Sequence, residues 1–408
     1  MRPPPWRDVA GHAVGAVEWP LHVKNVATLD LGAVDEMDVN DGNVKSFYMK
    51  ASQWIRDEKR YEALSSLADS RRRSPPAARL SGADVQLMLD AGHVEPIDRE
   101  SVRGHGLVFP VEECSKQRRR CIKYTKEIND FFDKSTIERV CLPSRAQQSG
   151  QARRGKYAIT LDFAAFFDQF EVKSDIGAYM CFRSGDKVLR LCRMPMGQRH
   201  AVAVAQGTTD VLLAFDMPAG VSAQSCIDNV RFVGDSRSGV LEAASSFVRR
   251  CRLAGCTLNE LPSGNTPLRD DEMLVALVHQ QGDWLGVEYD YAASLQRVAA
   301  KSIEKLRCSW AHRASWTARN YAAHIGLLFF TTSVLHLNVG RHFAALKQLR
   351  GRSARLTEQP ALWDSPVEMP SSEVDDLEAW TAEALSNSWV PCLDESPSER
   401  FIATDASE

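Results

Sequence analysis

Apolar positions fall into short runs through the middle of the chain and recur at helical spacing on either side, which predicts strands flanked by helices. Residues 45–70 (KSFYMKASQWIRDEKRYEALSSLADS) carry apolar positions three and four apart and predict one or two helices. Residues 1–44 begin Pro-rich without a clear period and predict a loosely ordered extension. Arg71 to Arg73, followed by Ser-Pro-Pro, punctuates the chain like a linker, with a localisation signal as the alternative. A helical pattern runs from Gly82 to Ala91 and stops at Gly92, a residue suited to the C-cap. His93 to Ile97 predicts a short extended piece. Leu107 to Glu112 predicts a strand, and Cys121 to Lys123 its hairpin partner across a basic turn. From Tyr157 to Asp290 strands alternate with helices, the mark of an α+β core. Residues 295–356 read as mostly helical and basic, and 360–398 as a connector rich in Pro, Glu and Asp. The longest apolar run, Ile325 to Leu337, is broken by Gly, Thr, Ser and His and predicts a buried helix, not a membrane span.

Composition narrows the class without naming a chemistry. With 408 residues, 44% apolar and 25% charged, the chain has room for two or three domains and an ordinary globular core. A net charge of −3 gives no global attraction for a polyanion, so any nucleic-acid surface must be local. Ten cysteines without a CxxC pair, Cys251 and Cys256 among them without nearby partners, predict reduced thiols. The start, MRPPPWRDVAG, lacks the apolar stretch of a signal peptide. The expectation is a soluble protein of the cytoplasm or nucleus with no membrane partner.

Candidate chemistry sits in two apolar strands. YAITLDFAAFFDQFEV (157–172) and CIDNVRFVG (226–234) each hold an acid, Asp162 and Asp228, where an isolated carboxylate is costly unless it is paired or holds a cation. Side by side they would make a hard-oxygen site for Mg²⁺, with the Phe163 carbonyl as a further oxygen. Two such ions can activate an attacking oxygen and hold a leaving group in phosphoryl or nucleotidyl transfer. Phe167, five residues after Asp162, could lie under a sugar and exclude a 2′-hydroxyl. The plain alternatives are an N-capping Asp with core phenylalanines at 162–167 and a turn Asp at 228. Asn229 offers an oxygen ligand but no charge.

Between these strands, RMPMGQRHAVAVAQ (193–206) predicts a tight turn and a small-residue helix ending in Gln206. Gly197 would let backbone approach a base pair, and Ala201, Val202, Ala203 and Ala205 would form a flat face for it. A Pro-Gly turn into a packed helix is the plain reading. Lys116, Arg118, Arg119, Arg120, Lys123 and Lys126 form a basic stretch suited to a triphosphate or template backbone, or simply to solvent.

In this order the blocks resemble the reverse transcriptases of retroelements, of the long-terminal-repeat or the tyrosine-recombinase (DIRS-like) type, from about Gly82 onward. LDFAAFFDQF resembles the first palm motif, MPMGQRHAVAVAQ the Pro-x-Gly motif, CIDNVRFVG the Tyr-x-Asp-Asp hairpin, AGCTLNE (254–260) the motif after it, and WLGVEYD (284–290) the primer grip. FIATDASE resembles the first strand of a ribonuclease H domain, opening at Asp405 and cut short.

The resemblance implies an α+β right hand. Fingers would span 82–155, a palm with an antiparallel sheet 156–290, and a helical thumb and connection 291–358. Residues 1–81 would be an extension, 359–398 a linker, and 399–408 the ribonuclease H remnant. It implies an RNA-directed DNA polymerase, with RNA template, DNA or RNA primer and deoxynucleotides as partners and two Mg²⁺ ions, Mn²⁺ being the alternative. Asp162 and Asp228 would be catalytic ligands, with the Phe163 carbonyl beside them. Arg119 and Arg120 would meet the triphosphate, and Phe167 would select the sugar. Gly197 and Gln206 would position the base pair, and Leu285 and Gly286 the primer. Three departures stand out: Asn229 replaces the second hairpin acid, Glu260-Leu261-Pro262 stands where a lysine is common, and Ala201-Val202 lacks the usual proline. They raise the alternative of a catalytically impaired or inactive relic that binds nucleic acid.

Overall fold

The computed structural model describes residues 19–64, 75–113, 116–261 and 267–393. The expected linker at Arg71–Arg73 and the ribonuclease H start with Asp405 lie outside the described residues, as do residues 1–18 of the extension.

The N-terminal segment is built into the fold rather than loosely appended. Strand β1 (Leu21–His22) is followed by helices α1 (Leu31–Glu36) and α2 (Gly42–Arg56), capped by the side chains of Asp30 and Asp41. Val34, Tyr48, Ala51, Trp54 and Ile55 enter the main core. The looseness expected for residues up to 44 is therefore corrected from residue 21 onward. Short stretches tied by main-chain hydrogen bonds leave no periodic signal to read.

Helix α3 (Gly82–Asp90) starts with a Ser81–Asp84 capping box and ends before Gly92 at a φ of 64°. Strand β2 (Val94–Pro96) follows, then the hairpin of β3 (Leu107–Glu113) and β4 (Arg118–Tyr124). β1 joins β4 in parallel, making a β1–β4–β3 sheet. Helices α4 (Lys126–Phe131) and α5 (Arg145–Arg153) lead to the centre of the molecule.

That centre is an antiparallel sheet in the order β5–β9–β8, made from Tyr157–Asp162, Asn229–Gly234 and Val221–Cys226. After β5 come α6 (Phe166–Gln169), α7 (Ser174–Gly177) and the hairpin of β6 (Cys181–Ser184) and β7 (Lys187–Leu191), which joins β2 in a third sheet. Helix α8 (Ala201–Leu213) continues seven residues past the expected end at Gln206. Its Ala201, Ala203 and Ala205 are buried, because α2 packs on this helix; Gly207 lies against Phe47 and Tyr48 so closely that a Cβ would sit 3.1 Å away. Of the expected flat face, Ala201, Ala203 and Ala205 are therefore covered, while Val202 stays half-buried. Helix α9 (Arg237–Leu253) covers the central sheet with Val240, Ala244 and Phe247, the burial of Val240 and of Phe247 each contributing about 1.5–3 kcal/mol. Cys251 and Cys256, expected to lack partners, touch each other while remaining free thiols.

Helix α10 (Pro267–Leu277) leads into a further antiparallel sheet of β10 (Gln281–Trp284), β11 (Val287–Asp290), β12 (Leu295–Val298) and β13 (Val390–Pro391). Helices α11 (Ala300–Ala311), α12 (Ala318–Leu335), α13 (Phe343–Glu358) and α14 (Ser371–Ser386) form a bundle around Leu306, Leu328, Leu377 and Trp380. α14 lies in the expected connector. Its acidic surface hides the apolar positions Leu377, Trp380 and Ala384, which are spaced for a helix face. Among the described residues no helix is long and apolar enough to cross a membrane.

Candidate active site

Strand pairing brings the two acids together. Asp162, the last residue of β5, stands opposite Asn229, the first of β9, and β8 turns into β9 through Ile227 and Asp228. The Phe163 N–H donates to the Asp228 carbonyl at 2.9 Å and locks the strand end to the turn. Both carboxylates are half-buried and resist ionisation. Burial, and then the charge of Asp228, push Asp162 up to about 6. Burial also raises Asp228, opposed by hydrogen bonds from its own backbone and Asn229 and by the charge of Arg120. Two desolvated carboxylates that repel each other are an arrangement that a bound cation would stabilise.

The turn that carries Asp228 is strained and held from below. Ile227 has a φ of 59°, a region that a β-branched residue enters only under constraint. α8 supplies the constraint. The Gln206 side-chain oxygen accepts from the Ile227 N–H at 2.7 Å, and the Thr209 hydroxyl donates to the Ile227 carbonyl at 2.7 Å. The Gln206 amide donates to Asp210 and Ser225, both at 2.7 Å. Gln206 is thus buried and engaged with the hairpin. Thr209 and Asp210 on the helix and Ser225 on β8 belong to the same support; the first two carry no sequence signal apart from their spacing from Gln206, and Ser225 carries none.

A second group approaches Asp162 from the loop after α9. Asn259 donates its amide to the Asp162 carboxylate at 2.5 Å, and Lys24 donates to the Asn259 side-chain oxygen at 2.8 Å. Glu260 accepts from the Asp162 N–H at 3.0 Å and adds a further negative charge.

After β5 the chain passes through Ala165 at a φ of 44° into α6. Phe163 and Phe166 stack with centroids 4.1 Å apart, while Phe167 is only half-buried. Its neighbour Asp168 accepts from Lys123 at 2.6 Å, and Lys123 donates to the buried His93, whose other ring nitrogen donates to the Lys24 carbonyl. Desolvation and the nearby lysine push His93 down to about 4, so the ring is neutral near pH 7.

The turn before α8 packs beneath β4. A Cβ on Gly197 would lie 2.8 Å from the Lys123 carbonyl, so only glycine fits. Asn129, which no pattern in the chain singles out, donates to the Gly197 carbonyl and accepts from the Arg199 N–H, both at 2.8 Å. Met196 protrudes from the turn, 53% exposed.

The basic hairpin is largely neutralised. Arg119, half-buried, forms a two-pronged pair with the buried Asp84 at 3.0 and 2.9 Å. Arg118 and Arg120 share Glu113, Lys126 pairs with Asp130, and Lys123 is held by Asp168. Of the two arginines singled out, Arg120 is the more exposed, and its charge acts on Asp228. Leu285 and Gly286 form a two-residue turn between β10 and β11, with φ of 50° and 81°. Arg145 donates to the Leu285 carbonyl at 3.4 Å.

Among the described residues no group of three or more His, Cys, Asp or Glu side chains is placed to hold a metal ion by itself. Two carboxylates suffice for a cation that takes its other oxygens from water and substrate phosphates, as Mg²⁺ usually does. The suppressed ionisation of Asp162 beside Asp228 fits a site where a cation would stabilise both charges.

No family model matches the sequence, and no curated protein does. The fold is similar to solved structures of foamy viral protease-reverse transcriptase. The dRH form in complex with double-stranded DNA aligns at a TM-score of 0.57 and 13% identity over 90% of this chain and 62% of that one. A complex with RNA/DNA hybrid aligns at 0.54 and 14% identity over 88% of this chain and 48% of that one. A complex with double-stranded DNA aligns at 0.53 and 14% identity over 92% and 75%. The chain thus spans less than two thirds of the first two. At these identities the likeness is one of architecture: the chain has a mixed α+β fold of the reverse-transcriptase type.

Proposed function

We propose that the chain is an RNA-directed DNA polymerase of a retroelement, joining deoxynucleotides to a primer 3′-hydroxyl on an RNA template. The observation that carries this reading is the desolvated pair Asp162 and Asp228 at one end of the central sheet, on a fold similar to reverse transcriptases. Asp162, Asp228 and the Phe163 carbonyl would hold two Mg²⁺ ions, or Mn²⁺. When bound, the ions supply an activated 3′-oxygen and charge neutralisation for the leaving pyrophosphate.

The chain's own residues do the positioning. Gln206 and Thr209 hold the hairpin so that Asp228 faces Asp162. Asn259 orients the Asp162 carboxylate. Phe167 excludes a 2′-hydroxyl, Arg120 meets the triphosphate, and Leu285 and Gly286 position the primer end. Arg119 serves through Asp84 by bracing the hairpin.

A second reading has one observation in its favour. Asn229 leaves the hairpin with a single acid, as in a relic that binds nucleic acid without turnover. Primer extension on an RNA template, with Mg²⁺ and deoxynucleotides, separates the two. Extension by the natural chain that disappears in Asp162→Ala supports the polymerase. Extension only in Asn229→Asp indicates a polymerase disabled at one ligand. A folded protein that binds duplex in a strongly salt-dependent way but extends in no form is the relic.

A further inference from the structure

We propose that Lys24, supplied by the N-terminal segment, is the cation that receives the pyrophosphate end of the nucleotide, acting beside Arg120. The inference rests on the polymerase reading and adds a residue that no palm or fingers motif contains.

The segment reaches the site along a defined path. β1 pairs in parallel with β4, and His22 is the register partner of Arg120. Lys24 lies two residues further on, with its carbonyl held by His93 at 3.1 Å. Beyond it, Thr28 accepts from Arg193 at 2.6 Å, Leu29 donates to the Gln169 carbonyl, and Asp30 donates to the Ala254 carbonyl, both at 2.8 Å. The strap therefore crosses from the basic hairpin to the loop that carries Asn259. Its main chain is fixed at both ends of that crossing.

Charge gives the segment a purpose. The site gathers Asp162, Asp228 and Glu260, while most of the hairpin's cations are engaged with Asp84, Glu113, Asp130 and Asp168. Two cations act on the acid pair, Lys24 on Asp162 and Arg120 on Asp228. Lys24 is only half-buried, and its ammonium rests on a neutral amide oxygen, a contact it can give up for phosphate at small cost. During transfer the 3′-oxygen bonds to the α-phosphorus and its proton passes to water. The bond from that phosphorus to the bridging oxygen breaks, and its electron pair leaves with pyrophosphate. A lysine held at this edge neutralises the charge as it develops.

The test uses the full chain on a dideoxy-terminated primer and RNA template, measuring binding of the next deoxynucleotide and of pyrophosphate with Mg²⁺. In Lys24→Met both should bind roughly tenfold or more weakly, the scale of one lost charge-assisted contact. Lys24→Arg should recover most of the loss. Duplex affinity and melting temperature should stay at their natural values in both variants. Nucleotide and pyrophosphate binding within twofold of the natural chain in Lys24→Met would overturn the proposal. If the natural chain extends primers and Lys24→Met extends and binds nucleotide equally well, this inference falls while the polymerase stands. If the natural chain extends nothing, yet loses pyrophosphate with Lys24→Met, the polymerase falls and the phosphate site stands. No nucleotide or pyrophosphate binding by the natural chain overturns both.

Discussion

Asn229 stands directly opposite Asp162 across the central strand pair and donates its side-chain amide to Asp228 at 3.0 Å. The amide thus occupies the position from which a third carboxylate would join the acid pair, and it spends its donor on relieving the charge already there. Asn229→Asp exchanges that donor for a negative charge. Divalent-cation affinity should tighten by roughly tenfold, about 1.4 kcal/mol, and the metal-free protein should become less stable near neutral pH. Mn²⁺ titration followed by electron paramagnetic resonance reads the first effect directly. Unchanged affinity would mean that residue 229 lies outside the coordination shell.

The ionisation of Asp162 sets a pH dependence whose sign is fixed. Its folded value of about 6 lies above the ordinary 3.8, so folding favours the protonated form. The stabilisation tied to that proton is complete below about pH 4 and is lost as the pH rises through about 6. Asp162→Asn cannot ionise. Without metal it should match the natural chain near pH 4 and become the more stable of the two by pH 7. Melting curves in chelator across this range check the crossover; parallel curves would remove the desolvated-pair account.

Gln206 gives a prediction that separates support from base-pair contact. Replacing it with alanine strips the Ile227 N–H of its acceptor and leaves Asp210 and Ser225 each short of a donor. The cost should be about 1–3 kcal/mol, because a buried amide is left unsatisfied next to a strained φ. Metal affinity should fall with it, since the turn that aims Asp228 loosens. Urea denaturation combined with the Mn²⁺ titration tests both; loss of template affinity alone would point to an open face instead.

The acids were legible because an isolated carboxylate in an apolar strand violates the pattern around it. The β3–β4 hairpin and α3 were legible from alternation and from Gly92. What escaped depended on distant partners. Arg119 reads as a free cation until Asp84, 35 residues earlier, folds against it. Lys123 likewise looks solvated until Asp168 and His93 surround it. The segment from Trp19 to Asp30 is held mostly by backbone hydrogen bonds, which leave no trace in side-chain periodicity. α14 did leave such a trace, in Leu377, Trp380 and Ala384, but acidic composition outweighed it.

Arg231 offers the most demanding test of the core between the central sheet and the sheet that follows it. It is fully buried in β9, with its guanidinium 4.0 Å from the Trp284 ring and 4.8 Å from that of Tyr289. Its hydrogen bonds run to the Gln151 side chain at 2.9 Å, the Gln148 carbonyl at 2.6 Å and the Gln224 side chain at 3.2 Å. Among the described residues no carboxylate forms an ion pair with it. A charge taken out of water among amide oxygens, the hydroxyls of Tyr289 and Tyr291 and aromatic faces depends on all of them together. Arg231→Ala should therefore cost about 3–5 kcal/mol, combining a large cavity with three lost hydrogen bonds. Arg231→Met, which keeps volume and sheds the charge, should cost clearly less. The order of the two midpoints in chemical denaturation decides the matter. Equal losses would show that the charge itself, and not the packing of its stem, joins β9 to the Trp284–Tyr289 hairpin.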